Sequence, residues 1–370
     1  MQFQSSPHFT LGVEQEIQLI DPETRDLKSS SLEILTSLGE QEKVTAEIFQ
    51  SMIEVRTGIC KDADEVLRDL RDTHRKLLAV AESKGVGLAS SGSHPFSRYV
   101  NREVFPSERY QYLIDRNQWL ARRLLIFGLH VHVGMPDGDT AIRIGNRLWR
   151  YLPLLLAMSS SSPYWDSQDT GLSSCRITVF EAIPTGGHPC MVNSWQEFVD
   201  MTAKLRKSKG IGSLKDIWWD VRPNPDFGTL ELRICDIPHR IDQIAALAAL
   251  VQLLAEYLHA APMHEMDQPE DWWVRENKWR ASRHGLNASF IISRDGDTAD
   301  AIDIWGQLKR ELQSGIEKRN YGRYIETLDE LFASGTCADA QRRIYAQRSS
   351  FIDVVDFVTS EHKKGLVSIS

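Results

Sequence analysis

The stretch that most limits what this chain can fold into is Leu11-Gly12-Val13-Glu14-Gln15-Glu16-Ile17-Gln18-Leu19-Ile20, which alternates strictly from Val13 onward. Val13, Gln15, Ile17 and Leu19 point one way; Glu14, Glu16, Gln18 and Ile20 point the other. A period of two is the mark of a β-strand. It sets two carboxylates side by side on one face. Carboxylates on a half-buried strand are costly to desolvate without a partner, and hard divalent cations prefer oxygen ligands. A strand whose two glutamates simply face water explains the same pattern, because antiparallel sheets often have one wet face.

The same alternation returns three times. It pairs Glu54 with Arg56 in Met52-Ile53-Glu54-Val55-Arg56, His130 with His132 in Leu129-His130-Val131-His132-Val133, and Glu231 with Arg233 in Thr229-Leu230-Glu231-Leu232-Arg233-Ile234. Each segment carries aliphatic residues on its other face, fit to pack on helices. Four amphipathic strands with carboxylate, imidazole and guanidinium on their polar sides point to one shared concave site. Glu47 and Glu54 are seven positions apart, an odd number, so they share a face only if the chain bends or bulges around Phe49-Gln50-Ser51.

Short strands separated by helices predict an α+β fold built on an antiparallel sheet. Helices are expected over 31–38, 62–84, 110–125, 139–159 (interrupted at Pro153), 194–206 and 241–259, with a mainly helical region from about 295 to the end. Residues 171–180 read as a loop and a strand carrying Arg176, residues 217–221 as a strand, and Arg222 to Gly228 as a long turn. Gly92-Ser93-His94-Pro95 reads either as the edge of a ligand site or as a plain X-Pro turn. The 370 residues allow one large or two medium domains, and with no linker, repeat or low-complexity boundary a single domain over 1–370 is expected.

A net charge of −8 disfavours a general nucleic-acid or anionic-membrane surface. The apolar run 244–263 is interrupted by Gln252, Glu256 and His259 and reads as a buried helix, not a membrane span. Cys60, Cys175, Cys190, Cys235 and Cys337 form no CxxC pair, which favours a reducing compartment over a disulfide framework. With a polar N-terminus lacking an apolar signal core, this predicts a cytoplasmic protein.

Glu14, Glu16, Glu54, His132 and Glu231 are the metal candidates; carboxylates with one imidazole suit Mg²⁺ or Mn²⁺ better than Zn²⁺. Of His130 and His132, only one need be a ligand. Arg233 shares a face with Glu231 and is placed to clamp a phosphoryl group. Arg275, Lys278, Arg280 and Arg283 form a basic stretch that reads either as phosphate contacts or as a solvated face. No Gly-x-x-x-x-Gly-Lys-Ser/Thr, Gly-x-Gly-x-x-Gly or Gly-x-Ser-x-Gly motif is present.

Gly12-Val13-Glu14-Gln15-Glu16, Glu47 with Ile53-Glu54-Val55-Arg56, His130-Val131-His132-Val133-Gly134, Gly228-Thr229-Leu230-Glu231-Leu232-Arg233 and Glu276-Asn277-Lys278-Trp279-Arg280-Ala281 together resemble the YbdK-type carboxylate-amine ligases, the second glutamate–cysteine ligase family. The resemblance runs from about Phe9 to the C-terminal helices. It implies a curved antiparallel sheet forming a funnel flanked by helices, similar to the catalytic fold of glutamine synthetase. It further implies ATP and two or more Mg²⁺ or Mn²⁺ ions, with Glu14, His132 and Glu231 on one ion and Glu16 on another, and Glu54 as a further ligand beside a less defined Glu47. By the same resemblance Arg233 and Glu54 are the catalytic candidates, and Arg233, Lys278 and Arg280 the phosphate contacts. Arg176 reads either as a contact for a substrate carboxylate or as a member of a structural ion pair.

The implied reaction joins a carboxylate to an amine through an acyl phosphate, with glutamate and cysteine the best-guess pair, giving γ-glutamylcysteine. A homodimer is a family-level expectation. The rival readings are a kinase of a small carboxylate or guanidino substrate, a metal-dependent hydrolase, and a non-catalytic binding protein on this scaffold.

Overall fold

The computed structural model describes residues 1–39, 42–100, 102–188 and 191–366. Pro189, Cys190 and the last four residues of the expected helical region lie outside the described residues. Seven strands among those described form one sheet: β1 (Leu11–Ile20), β2 (Val44–Ala46), β3 (Met52–Arg56), β4 (Gly87–Ala89), β5 (Gly128–Gly134), β6 (Val221–Asn224) and β7 (Thr229–Asp236). Their order is β6-β7-β5-β1-β3-β2, with β4 on the far end of β1, and every pairing is antiparallel. The helices that matter below are α1 (Ala63–Ser83), α2 (Gly138–Leu148), α3 (Leu152–Ser159), α4 (Arg176–Glu181), α5 (Ile241–Ala260) and α6 (Asp271–His284). Four further helices complete the C-terminal region: Ala301–Arg319, Gly322–Ser334, Cys337–Arg348 and Phe351–Leu366.

The sheet is α+β in the expected sense, with one face given to helices and the other to polar groups. On β1, Val13, Gln15, Ile17 and Leu19 are buried against the helical layer. Burying an aliphatic side chain of this size stabilises by about 1.5–3 kcal/mol, so the alternation itself holds β1 the right way up. Gln15 is the polar exception on that face, and His74 of α1 bonds to its Oε1 at 2.9 Å. α1 presents Val66, Leu67, Leu70, Leu77 and Ala81 inward, and its N-terminus is capped by Asp62, which accepts from the Glu65 amide. α5 is apolar on nearly every side and is long and apolar enough to cross a membrane, but most of it is buried in the protein against α1, β1 and β5. Gln252, the polar interruption noted in its sequence, donates to the carbonyls of Phe9 and Lys61 and accepts from the Tyr321 hydroxyl. A buried polar group fully partnered in this way costs little.

Three sequence expectations change. Arg176 starts helix α4, not a strand. The expected helix over 110–125 breaks at Gln118, whose φ is 48°. The strand expected at 217–221 is a two-residue strand at Trp218–Trp219, and a second one, β6, follows at Val221–Asn224 inside what reads as a turn. Pro223 suggested a turn because it cannot donate to a ladder; β6 is an edge strand, where that loss is tolerated. Pro153 interrupts as expected, opening the second of two helices, α3, within its first turn.

Candidate active site

The register of the sheet assembles the polar face. Glu14 lies opposite Arg56 on β3 and His130 on β5; Glu16 lies opposite Glu54; Glu231 on β7 lies opposite His132 on β5 and Arg222 on β6. Glu47 follows β2, which pairs with β3 as a hairpin, so the odd spacing from Glu54 is resolved by a turn of the chain. Together these side chains line a cavity of about 260 Å³, with Arg109, Tyr110, Lys215 and Trp218 at its wall. A second cavity of about 600 Å³ reaches Glu14, His132 and Arg56 from another side and is lined by Gly12, Gly58, Ile59 and Phe227.

Among the described residues, two groups of side chains have ligand atoms close enough to hold an ion: Glu14 with His132 and Glu231, and Glu14 with Glu54 and His130. The first is the expected set. The second differs from expectation, with His130 where Glu16 was expected; Glu16 accepts a hydrogen bond from the Gly128 amide instead. The question of which histidine matters thus resolves into one for each group.

The electrostatics fit a cation. Burial raises Glu47 to about 8, helped by Glu16. Burial together with Glu14, Glu47 and Glu16 pushes Glu54 well above the usual carboxylate value. For Glu14, burial is overridden by His132 and His130, which hold it well below that value. For Glu231, burial is overridden chiefly by Arg222 and Arg233, and the carboxyl is held low. The Nε2 atoms of His130 and His132 are buried without a hydrogen-bond partner. Crowded carboxylates beside unpartnered imidazole nitrogens form a donor set suited to a hard divalent ion.

Arg233 lies in the cavity, donating to Glu231 and 3.5 Å from His130 Nδ1. Arg222 and Asn224 also bond to Glu231, at 3.0 and 3.3 Å. Sequence reading missed both. The available signal was their i, i+2 spacing, the same grammar as Glu231/Arg233, hidden by the proline between them.

Two expected phosphate contacts are not brought to the cavity. Lys278 is buried in α6, where its ammonium pairs with Asp220 and Glu181. Arg280 sits farther out on the same helix, donating to Glu276 and to the Ser289 carbonyl. A helix turns its residues through a full circle every 3.6 positions, so a basic run on α6 cannot all face one site. Arg176 borders the cavity, but its guanidinium turns to the carbonyls of Arg233 and Ile234 and lies 4.0 Å from Asp236, the arrangement of a structural ion pair. The loop Gly92 to Pro95 is likewise structural: its serine and histidine bond to the Tyr164 and Arg25 carbonyls.

Solved structures share this architecture. Glutamate–cysteine ligase from Francisella tularensis, determined in complex with AMP, matches with a TM-score of 0.73 at 11% identity, over 100% of this chain and 91% of that one. A bifunctional glutathione synthetase from Pasteurella multocida matches with a TM-score of 0.69 at 15% identity, over 97% of this chain and 53% of that one. The sheet and its helices therefore form the glutamate–cysteine ligase fold. Sequence narrows this further. The profile of glutamate–cysteine ligase family 2 matches residues 10–357. A provisionally named glutamate–cysteine ligase 2 of Bdellovibrio bacteriovorus is 45% identical over 98% of this chain and 97% of its own length. One from Gloeobacter violaceus is 42% identical over 95% and 96%. The chain belongs to glutamate–cysteine ligase family 2 and is an ATP-dependent ligase.

Proposed function

We propose that this ligase joins the γ-carboxylate of glutamate to the amino group of cysteine through an acyl phosphate. The observation that carries the reading is Glu14, one carboxylate shared by two ligand groups, with a cavity on either side. A carboxylate oxygen attacks the γ-phosphorus of ATP; the P–O bond to ADP breaks and an acyl phosphate forms. The amine nitrogen then attacks the acyl carbon, the C–O bond to phosphate breaks, and the ammonium's surplus protons are lost. Both steps need charge held in place more than they need a covalent group on the protein.

In this reading Glu14, His132 and Glu231 hold one Mg²⁺ or Mn²⁺, and Glu14, Glu54 and His130 hold another, with Glu16 and Glu47 beside them. Cations bound there supply neutralisation of the phosphate oxygens. Arg233 meets the transferring phosphoryl, the family's expectation for that position, and its cavity placement supports it. The larger cavity, where Phe227 is 54% and Ile59 77% exposed, offers faces for a purine ring. The smaller one, with Arg109 and Lys215, suits an amino acid's carboxylate.

The test is ADP and phosphate release with Mg²⁺, acid and amine supplied singly and together, beside a Glu14→Gln/Glu231→Gln variant. Turnover that requires glutamate and cysteine together and disappears in the variant supports the reading. Phosphorylated acid accumulating whether or not an amine is present would make it a kinase, and turnover without ATP a hydrolase.

A further inference from the structure

β7 carries a bulge where the active-site arginine stands. Leu232 pairs with Val131 of β5, but the next pair is Cys235 with Leu129, so β7 spends one extra residue across Arg233 and Ile234. A bulge re-aims a side chain and interrupts the ladder. Something must then fix the backbone, and both sides of Arg233 are held. Its amide donates to the Asp220 carbonyl at 2.7 Å. Its carbonyl accepts from Arg176 Nη2 at 3.2 Å, and the Ile234 carbonyl accepts from Arg176 Nη1 at 3.3 Å.

Each holder is itself held. Asp220 is fully buried and its carboxylate takes Lys278, which also pairs with Glu181 at the end of α4. Arg176, at the start of the same helix, faces Asp236, whose oxygens accept from the Ser161 amide at 3.0 Å and from the hydroxyls of Ser162 and Ser174 at 2.6 and 2.7 Å. The space is cut to fit: a Cβ on Gly128 would lie 2.2 Å from Arg176 Nη2 and one on Gly92 2.8 Å from Asp236. One six-residue helix thus carries both clamps, Arg176 at its first position and Glu181 at its last. Buried ion pairs are weak sources of stability, since well-packed apolar residues often do as well. What these two pairs share is the peptide backbone of one arginine.

We infer that Arg176 and Lys278 are positioning residues that act through Arg233, locking the bulge so that its guanidinium enters the cavity at a fixed place. The inference rests on the reading of Arg233 as the group that meets the phosphoryl.

The test is a double-mutant cycle in the full-length protein. Arg176→Lys keeps the charge opposite Asp236 but loses the two-pronged donor; Arg233→Met removes the group being aimed. Single-turnover rates and ATP affinity are measured for both, for the double variant, and for Lys278→Met/Asp220→Asn as a charge-neutral second probe that keeps the Asp220-position carbonyl. Misplacement of a catalytic group by about 1 Å costs on the order of 100-fold. Arg176→Lys is therefore expected to slow the rate ~10–100-fold with ATP affinity within about threefold, and to cost less than about twofold once Arg233 is gone. The same factor in both backgrounds would make Arg176 merely structural. A raised KM for the acid with kcat kept would make it a substrate contact. Either overturns the inference.

The side-chain Nε–H signal of Arg233, assigned in ¹⁵N-arginine-labelled protein by its loss in Arg233→Met, is read alongside. It should move in Arg176→Lys, and an unchanged signal also overturns the inference. If the wild type shows no turnover requiring acid and amine, the ligase reading has failed, and this signal decides the positioning on its own.

Discussion

Two buried groups of charge lie side by side along β7, and they are built on opposite plans. In the cavity, Glu14, Glu16, Glu47, Glu54 and Glu231 converge, and among the described residues arginine hydrogen bonds reach only Glu231. Around the bulge of β7, Asp220 has Lys278 and Asp236 has Arg176, with serine hydroxyls bonding to the oxygens of Asp236. In the first group the carboxylates crowd one another without direct arginine partners at Glu14, Glu47 and Glu54, and these three shift apart. The second is matched. An unmatched buried group is tolerable where a cation completes it; a matched one serves as scaffold. Substitutions in the two groups should therefore fail in different ways.

The largest effect belongs to the cavity. Glu54→Gln removes one donor from the second ligand group and should cost several kcal/mol of transition-state stabilisation, on the order of a hundredfold or more in kcat. Because Glu54 is crowded by Glu14, Glu47 and Glu16, the metal-free variant should melt no lower than the wild type. Added Mg²⁺ or Mn²⁺ should raise the wild type's melting temperature, as any ligand of the native state does, and raise the variant's less. A variant that loses both activity and metal-free stability would erase the distinction between the groups.

The scaffold should lose stability first, and turnover only through the aim of Arg233. Lys278→Met strands Asp220 in the interior, and breaking one side of a buried pair costs about 3–5 kcal/mol. Lys278→Met/Asp220→Asn should recover most of that in denaturant unfolding. ATP affinity should stay near wild type in the double variant. A large loss of ATP affinity there would return Lys278 to the role the basic motif suggested.

How much of this the sequence discloses follows from what local pattern encodes. The period of two in Glu14/Glu16, Glu54/Arg56, His130/His132 and Glu231/Arg233 is a local property, and the fold honours it because the opposite faces of those strands are apolar. What local pattern lacks is register across strands. The pairing of Gly12 with His132 and Glu14 with His130 decides that both histidines flank one carboxylate. The bulge after Leu232 is equally invisible from β7 alone, and so is the turn of Arg176 toward it. The basic run on α6 misled for a related reason: charge count was legible, but the direction each side chain takes around the helix depends on what packs there.

A third buried group is made of imidazoles. Burial holds His94 and His362 at about 4 and His239 at about 3. In the unfolded chain each takes up a proton near pH 6.5. Folded-state values below the unfolded one mean that no stability is lost above pH 6.5, and that it falls as pH drops toward 4. At about 1.36 kcal/mol per unit, each should cost roughly 2 kcal/mol between pH 6.5 and 5. The nitrogens of His362, whose ring lies 5.0 Å from that of His74, have no hydrogen-bond partner. His362→Phe should therefore keep neutral-pH stability within about 1 kcal/mol and flatten the acid slope. An unchanged slope would mean that these rings take up protons in the fold as readily as in the unfolded chain.

The smallest effect tests the same contrast from outside. Arg280 is two positions from Lys278 in the motif, yet its partners are Glu276 one turn away and the Ser289 carbonyl. An i, i+4 ion pair at a partly exposed site contributes about 0.3–0.5 kcal/mol. Arg280→Ala should lower stability by no more than ~1 kcal/mol, counting the lost carbonyl contact. It should leave kcat and the KM for ATP within about twofold, because a residue outside the cavity has no part in holding phosphate. A tenfold rise in the KM for ATP would instead show α6 moving inward when nucleotide binds, and the boundary between the cavity and its scaffold would then have to be drawn for the closed enzyme.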